Sequence, residues 1–380
     1  MKILHLITDL ETGGAEMMLL KLVQGMNKSE FRNVVVSMID EGTLGPEFKK
    51  AGVPVYCLGM KRGGISPVYV LRLLRIVRQE KPDIIQTWLY HADLLGMLVA
   101  LIKRIPFIWN IRCSDLKRED HSRFLFFVIH LLAKSSFLPE AIIANSQAGM
   151  LWHEKIGYKA GKWVIIPNGF DTDSFCPIVT ARTALIEELN CPKNTEFVGL
   201  IARYNPMKDH RTFLRAAAII NELRPDVHFI LAGRDVDYNN QHLVNTVNEL
   251  GLNRVVHLLG ERNDVNLINA ALTVAVSSSY SEGFPNTVGE GMSCAVPCVV
   301  TDAGDSAYLV GSTGYIVPPS NPDALAQAVM EVLGMDIGER EVMGLSARQR
   351  IMEYFSLETI IEQYQTLYRN VFSNNRRKDI

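Results

Sequence analysis

The six cysteines, Cys57, Cys113, Cys176, Cys191, Cys294 and Cys298, form no Cys-x-x-Cys pair. The sequence therefore offers neither a zinc-ribbon nor a dithiol redox motif, and the thiols read as small core residues in a reducing, cytoplasmic setting. No apolar run reaches the ~18 residues that a membrane-spanning helix needs. The opening stretch Met1-Lys-Ile-Leu-His-Leu-Ile-Thr8 turns polar at Asp9 without a cleavage site, unlike a secretory leader. The expectation is a cytoplasmic protein, soluble or peripheral at the inner face of the cytoplasmic membrane. An excess of one charge is missing as well: 39 Lys and Arg stand against 41 Asp and Glu, a net charge of −2, which argues against a nucleic-acid partner. The glycine pair after the first strand is not Gly-x-Gly-x-x-Gly, and Ser37 and Met38 close the second strand where an acidic residue would be needed. A nicotinamide-dinucleotide site is therefore a weak reading.

What is present is length and a repeated pattern. At 380 residues with 48% hydrophobic content the chain exceeds one ordinary core, and two domains are expected. Both halves alternate short apolar strands with amphipathic helices, which predicts parallel sheets covered on both faces. In the first half strands are expected at Lys2–Thr8, Asn33–Met38, Asp83–Thr87, Phe107–Asn110, Ala141–Ala144 and Val164–Ile166. In the second they recur at Phe197–Ala202, Val227–Ala232, Val255–Leu259, Leu272–Ser277, Pro297–Thr301 and Gly314–Val317. Each set makes a doubly wound α/β sheet, whose ligands bind at the carboxyl ends of the strands. The stretch Pro167-Asn-Gly-Phe-Asp-Thr-Asp-Ser-Phe-Cys-Pro177 is dense in turn formers and marks the break. The predicted division is residues 1–170, a linker over 171–190, a second domain over 191–356, and an amphipathic C-terminal helix over 357–380. Charge is uneven across the break: residues 1–177 carry 22 Lys and Arg against 17 Asp and Glu, the remainder 17 against 24. A basic first half suits an anionic partner, and an uneven solvated surface accounts for the count equally well.

The most informative stretch is Ser277-Ser-Ser-Tyr-Ser-Glu-Gly-Phe-Pro-Asn-Thr-Val-Gly-Glu-Gly-Met292. A β-branched run gives way to a loop broken by Gly283 and Pro285, then to a helix that starts near Asn286 or Thr287. A helix start after a strand offers free N–H groups and a positive dipole end to a phosphate. Glu282 in the loop and Glu290 one turn into the helix accept hydrogen bonds from sugar hydroxyls, so together the pieces describe a nucleotide-sugar site. Thr287 with Glu290 is also a capping box, which needs no ligand. Arg203 and Lys208 place two cations beside the helix that begins near His210, which suits a diphosphate leaving group. Asp209 is expected to cap that helix.

In the first half, Gly13-Gly14 lets the backbone approach a ligand ahead of a helix over Ala15–Met26, or makes a tight turn and no more. His91 stands at a strand's carboxyl end beside Trp88, Tyr90 and Asp93, as a structural residue or as a ligand contact. Arg112 closes the next strand, placed to meet an anionic group or to make a surface ion pair. Residues Ser122–Ser136 are apolar with a rim of Lys117, Arg118, Arg123 and Lys134; the pattern fits an interfacial helix and a buried α/β helix alike. Ser146 reads as an N-cap. Asp171-Thr-Asp173 and Asp235-Val-Asp237 have no accompanying ligand cluster, so no metal is expected.

Glu282-x7-Glu290 enclosing Gly283-Phe284-Pro285, followed by Gly291-Met-Ser-Cys-Ala-Val-Pro-Cys-Val-Val-Thr301, resembles the donor-site signature of the retaining family 4 glycosyltransferases of the bacterial surface-polysaccharide type. That family has the GT-B fold, two Rossmann-like domains facing a cleft. Thr12-Gly-Gly-Ala-Glu16, the Arg203-x4-Lys208 pair and the segment Ile165–Phe175 resemble its other marks, so the likeness covers nearly the whole chain. It implies a metal-independent retaining hexosyltransferase that uses a nucleoside diphosphate sugar, UDP-linked, and a glycan, lipid-linked or lipopolysaccharide-type acceptor. It further implies that Glu282 holds donor sugar hydroxyls, Glu290 the ribose, and Arg203 with Lys208 the diphosphate, with Gly283, Phe284, Pro285, Asn286 and Thr287 in the donor site. Gly13 and Gly14 would lie over the diphosphate and His91 near the transferred sugar. The loop Gly260-Glu-Arg262 would meet the nucleobase, chiefly through backbone groups, and the C-terminal helix would cross back to the first domain. No cofactor is expected. Contact with an anionic membrane follows from the basic first half and the apolar helix, not from the resemblance. Asp209 departs from the family, which usually has glycine there. The alternatives are a nucleotide-sugar epimerase of the same fold, which needs no acceptor groove, and a non-catalytic sugar-nucleotide-binding protein, against which the intact Glu282, Glu290, Arg203 and Lys208 argue.

Overall fold

The computed structural model describes residues 1–61, 66–114, 122–159 and 161–378; Lys117 and Arg118 of the expected basic rim lie outside them. The chain forms two compact units, Met1–Gly169 together with Leu357–Ile380, and Phe170–Ser356.

The first unit runs β1 (Lys2–Ile7), α1 (Gly14–Gly25), β2 (Arg32–Ser37), α2 (Gly45–Lys50), β3 (Val55–Cys57), α3 (Pro67–Glu80), β4 (Ile84–Trp88), α4 (Tyr90–Lys103), β5 (Phe107–Ile111), α5 (Arg123–Ser135), β6 (Ala141–Ala144), α6 (Gln147–Lys155) and β7 (Trp163–Ile165). Its seven strands lie in the order β3-β2-β1-β4-β5-β6-β7. β4 and β5 are buried along their whole length, because helices cover both faces of a parallel sheet; this is why they read as unbroken apolar runs. The sequence pattern gave six strands here and the sheet has seven. The missed one, β3, is an edge strand only partly buried, set between Pro54 and Gly59, so its sequence reads as a turn-rich connection.

In the second unit come α7 (Ala181–Glu188), β8 (Glu196–Ile201), α8 (His210–Leu223), β9 (Val227–Ala232), α9 (Gln241–Glu249), β10 (Val256–Leu258), α10 (Val265–Ala271), β11 (Val274–Ser277), α11 (Asn286–Ser293), β12 (Cys298–Thr301), α12 (Ser306–Val310), β13 (Tyr315–Val317), α13 (Pro322–Gly334) and α14 (Ile337–Arg350). The strand order is β10-β9-β8-β11-β12-β13, the dinucleotide-fold winding of the first unit again. Residues 171–190, expected as a linker, belong to this unit. Ala181 and Leu185 of α7 are fully buried in a core shared with Phe197 and Ile268, since turn formers end a sheet without preventing the following helix from packing.

The chain ends in α15 (Leu357–Lys378), which packs on the first unit. Ile360, Tyr364 and Tyr368 are fully buried there. The Tyr364 ring stacks on Trp88 at 6.3 Å, the Tyr368 hydroxyl donates to Gln86, and Arg369 grips both carboxylate oxygens of Glu30 at 2.8 Å.

In each sheet the winding direction reverses once, between β1 and β4 and between β8 and β11. Doubly wound sheets bind ligands at the carboxyl ends of the strands flanking that reversal.

Candidate functional site

At the reversal in the second unit, two loops leave neighbouring strands and are tied to each other. The loop after β8 folds into a short 3₁₀ turn at Pro206–Lys208, with the Asn205 side chain accepting the Met207 N–H at 3.0 Å. The loop after β11 crosses it: the Tyr280 N–H donates to the Met207 carbonyl at 3.0 Å, and Ser278 Oγ donates to the Lys208 carbonyl at 2.8 Å. The result is an ion pair between Lys208 Nζ and Glu282 Oε1, an oxygen that also accepts from Ser279 Oγ at 2.8 Å. Arg203 stands exposed at the end of β8. One carboxylate and two cations thus share one pair of loops, close to the start of α11.

Asp209 caps α8, accepting the Thr212 N–H at 3.1 Å and the Thr212 hydroxyl at 2.7 Å. Its backbone is left-handed, φ 46 and ψ 53. This is the conformation glycine favours and Asp tolerates better than most residues, so the substitution keeps the loop's path and adds a cap.

The loop that carries Glu282 is held from behind by Gly304, with φ +57; a Cβ there would come within 2.2 Å of the Glu282 carbonyl oxygen. The Asp305 N–H donates to the Gly283 carbonyl at 3.0 Å. α11 then begins at Asn286, with Pro285 in the N-cap position and no side-chain cap. Thr287 lies inside the helix, so the capping box is not formed and Glu290 is not explained by capping. Asn286, Thr287 and Glu290 are half-buried.

Two expected donor contacts change character. Phe284 is buried, its ring 6.1 Å from Phe170 and 5.9 Å from Phe355. A Cβ at Gly289 would strike the Phe170 ring at 2.0 Å. The Gly-Phe-Pro portion of the motif therefore anchors the loop in the core through Phe284, with Pro285 buried as well. Only backbone at Phe284 is left to meet a donor. Arg262, the second, holds Asp264 at 2.8 and 2.7 Å and Glu188 at 2.6 and 3.2 Å. Its guanidinium fixes the loop, which leaves the backbone groups of Gly260–Arg262 for the expected nucleobase contact.

The first unit's reversal is built from less exposed groups. Gly13 is the extended N-cap residue of α1, and Glu16 in the helix's first turn is buried, which pushes its carboxyl above the usual range. Leu89 has φ 72 and ψ 157, a strained backbone for a bulky residue. Its N–H donates to the Asn110 carbonyl at 3.3 Å. The turn delivers His91 to the start of α4, where its ring faces Phe124 at 6.1 Å and burial lowers its pKa, favouring the neutral imidazole. Asp93 is fully buried, accepts from Thr87 Oγ1 at 2.5 Å, and is pushed well above the carboxylate range by burial. Arg112 makes no ion pair among the described residues: it lies over the Trp88 ring at 5.4 Å and donates to Asn168. Sequence reasoning held Glu16 only as part of the glycine-loop motif and Tyr364 only as an apolar position of the C-terminal helix; nothing local signalled that Tyr364 would meet Trp88.

Of the discounted Asp pairs, Asp171 accepts the Asp173 and Ser174 N–H groups at 3.1 and 3.0 Å and Asp237 the Asn239 N–H at 2.8 Å. Both shape turns.

Residues 12–174 match the model of glycosyltransferase family 4, and residues 195–335 match the model of group 1 glycosyl transferases. The chain carries both domains of a glycosyltransferase. Its two parallel sheets are those of the GT-B fold: the crystal structure of Anabaena HepE in complex with UDP matches with a TM-score of 0.84 at 25% identity, over 97% of this chain and 100% of that one. This glycosyltransferase is also similar to the UDP-Gal:alpha-D-GlcNAc-diphosphoundecaprenol alpha-1,3-galactosyltransferase of Escherichia coli, 24% identical over 80% of each chain. A third relative is the N,N'-diacetylbacillosaminyl-diphospho-undecaprenol alpha-1,3-N-acetylgalactosaminyltransferase of Campylobacter jejuni, 24% identical over 86% of this chain and 89% of that one.

Proposed function

We propose that this glycosyltransferase moves a hexosyl group from a UDP-sugar to a lipid-linked glycan acceptor in cell-envelope polysaccharide synthesis, retaining the anomeric configuration and needing no metal ion. The observation that carries the reading is the Lys208–Glu282 pair at the reversal of the second sheet, beside exposed Arg203 and the start of α11. A donor sugar is bonded to its diphosphate, so a hydroxyl acceptor and a phosphate-binding cation have to be neighbours. The relative named for a UDP-Gal donor supports the donor base, and the two named for diphosphoundecaprenol acceptors support the acceptor class.

In the reaction the acceptor oxygen bonds to the sugar's anomeric carbon while the bond from that carbon to the β-phosphate oxygen breaks on the same face. The acceptor proton passes to the departing phosphate, and UDP leaves. Lys208, Arg203 and the N–H groups at the start of α11 stabilise the charge that grows on the leaving group. Lys208 has three N–H donors, so one can stay on Glu282 while another meets phosphate. Glu282 accepts from sugar hydroxyls and Glu290 from the ribose. The same positive field stands in for a divalent ion.

The acceptor is assigned to the first unit, with the membrane. α5 is two-faced: Val128, Ile129 and Leu132 are buried while Phe124, Phe127 and Leu131 are exposed, Phe127 by 62%. Its neighbour α4 exposes Leu101 and Ile102, and α3 exposes Leu71 on a helix carrying Arg72, Arg75 and Arg78 at three-residue spacing. Apolar side chains beside basic ones suit a helix lying on an anionic bilayer. No described helix is long and apolar enough to cross one.

One assay tests the proposal: the full chain, a panel of UDP-sugars and a polyprenyl-diphosphate-linked sugar in EDTA, with the new linkage read by NMR. An α donor should give an α linkage at undiminished rate. A β linkage overturns retention, and turnover lost in EDTA but restored by magnesium or manganese promotes Asp235 and Asp237 to ligands. Donor epimerised without acceptor favours an epimerase.

A further inference from the structure

At the other end of the second sheet from Lys208 and Glu282, three side chains that metal ions use are gathered around the edge strand. His228 is the second residue of β9 and His257 the middle residue of β10. Cys191 follows α7 in the approach to β8. His228 Nδ1 lies 2.8 Å from His257 Nε2, and Cys191 Sγ lies 3.4 Å from the first and 3.8 Å from the second. The imidazole rings stack, 5.1 Å between centroids at 16°. All three residues are half-buried, and among the described residues theirs is the one group of His, Cys, Asp or Glu side chains whose ligand atoms converge closely enough to hold an ion.

The spacing fits a specific chemistry. Tetrahedral bonds of about 2.3 Å to sulfur and about 2.0–2.1 Å to nitrogen set sulfur and nitrogen about 3.6 Å apart and two nitrogens about 3.3 Å apart. The sulfur distances already match, and the imidazoles need to separate by about half an ångström to complete one face of the tetrahedron.

We propose that Cys191, His228 and His257 form a binding site for one transition-metal ion, zinc by preference, with the fourth position left to water. Thiolate with two imidazoles selects zinc or cobalt over magnesium or calcium. On binding, a sulfur–metal bond replaces the S–H bond and the thiol proton goes to solvent. The ion clamps edge strand β10 and the Cys191 turn to β9. From His228 to the carboxyl end of β9 is about 13 Å along the strand, so the site stands apart from the donor loops and plays no part in transfer. The three residues lie 37 and 29 positions apart in sequence, which is why no ligand motif announced them and why Cys191 read as a core residue.

Titrating the metal-stripped full chain with cobalt tests this. A thiolate-to-cobalt charge-transfer band should rise, saturate at one ion per chain, and vanish when zinc is added. Cys191→Ser should abolish the band, and His257→Gln should weaken cobalt binding by about tenfold or more, the loss typical of even outer-sphere changes. A second readout needs no variant: zinc should protect Cys191 of the unaltered protein from alkylation while exposed Cys57 stays reactive, as mapped by mass spectrometry. A protein that develops no charge-transfer band, or whose Cys191 alkylates equally fast with and without zinc, overturns the site.

Discussion

The two units wind their sheets alike yet equip the reversal point in opposite ways. In the second, charged side chains compensate one another: Lys208 with Glu282, both half-buried, and Arg203 exposed beside them. In the first, the polar groups are sunk into the fold: Arg112 over Trp88, Asp93 against Thr87, Glu16 in the first turn of α1. An exposed cation such as Arg203 can turn to an ionic ligand at little structural cost, whereas buried polar groups are expensive to disturb and fix the shape of what surrounds them. On the proposed function the second unit would handle the charged donor and the first would supply rigid, partly apolar support for the acceptor.

The largest effect expected sets the two cations against each other. Lys208→Ala should lower kcat by about 10²–10³, as for loss of one contact made in the transition state, with little change in melting temperature. Arg112→Ala should instead cost about 2–3 kcal/mol of stability, through the lost stacking on Trp88 and the lost hydrogen bond to Asn168. Calorimetry beside steady-state kinetics reads both; equal behaviour of the two variants would erase the distinction.

Next in size is Glu290. With no capping box to lose, Glu290→Ala should leave stability nearly unchanged and weaken UDP binding by roughly ten- to a hundredfold, the range for a hydrogen bond to a charged group. Isothermal titration decides it. Unchanged affinity with an early melt would return Glu290 to a structural role.

Smallest is the surface attraction of the first unit. Contact with anionic vesicles should weaken as salt rises, and Arg123→Gln with Lys134→Gln should remove about 1 kcal/mol for each charge lost near the bilayer. Replacing exposed Phe127 with Gln should weaken it further. Indifference to anionic vesicles at low salt would leave the apolar face of α5 without its membrane.

Most of the architecture was legible because parallel strands covered on both faces must be apolar throughout, and among the strands only β3, at an edge and partly exposed, escaped. The motif identified the donor loops but not how each member serves them. Phe284 and Arg262 sit within the right segments, yet one is core and the other is tied to Asp264 and Glu188, and side chain versus backbone use leaves no trace in spacing. Asp209 was legible as a cap, but its left-handed backbone was not. The supports of the first unit were hidden for another reason. Arg112, Trp88 and Tyr364 meet only because α15 returns to that unit, and no local pattern encodes such a meeting.

The account stands on the donor site lying at the reversal of the second sheet, and hydrogen–deuterium exchange with UDP tests that most directly. Saturating UDP should protect the backbone over residues 202–209 and 277–290, and should do so far less in Lys208→Ala. Protection confined to other segments, or none in those two loops at a concentration where UDP binding is saturated, would contradict it.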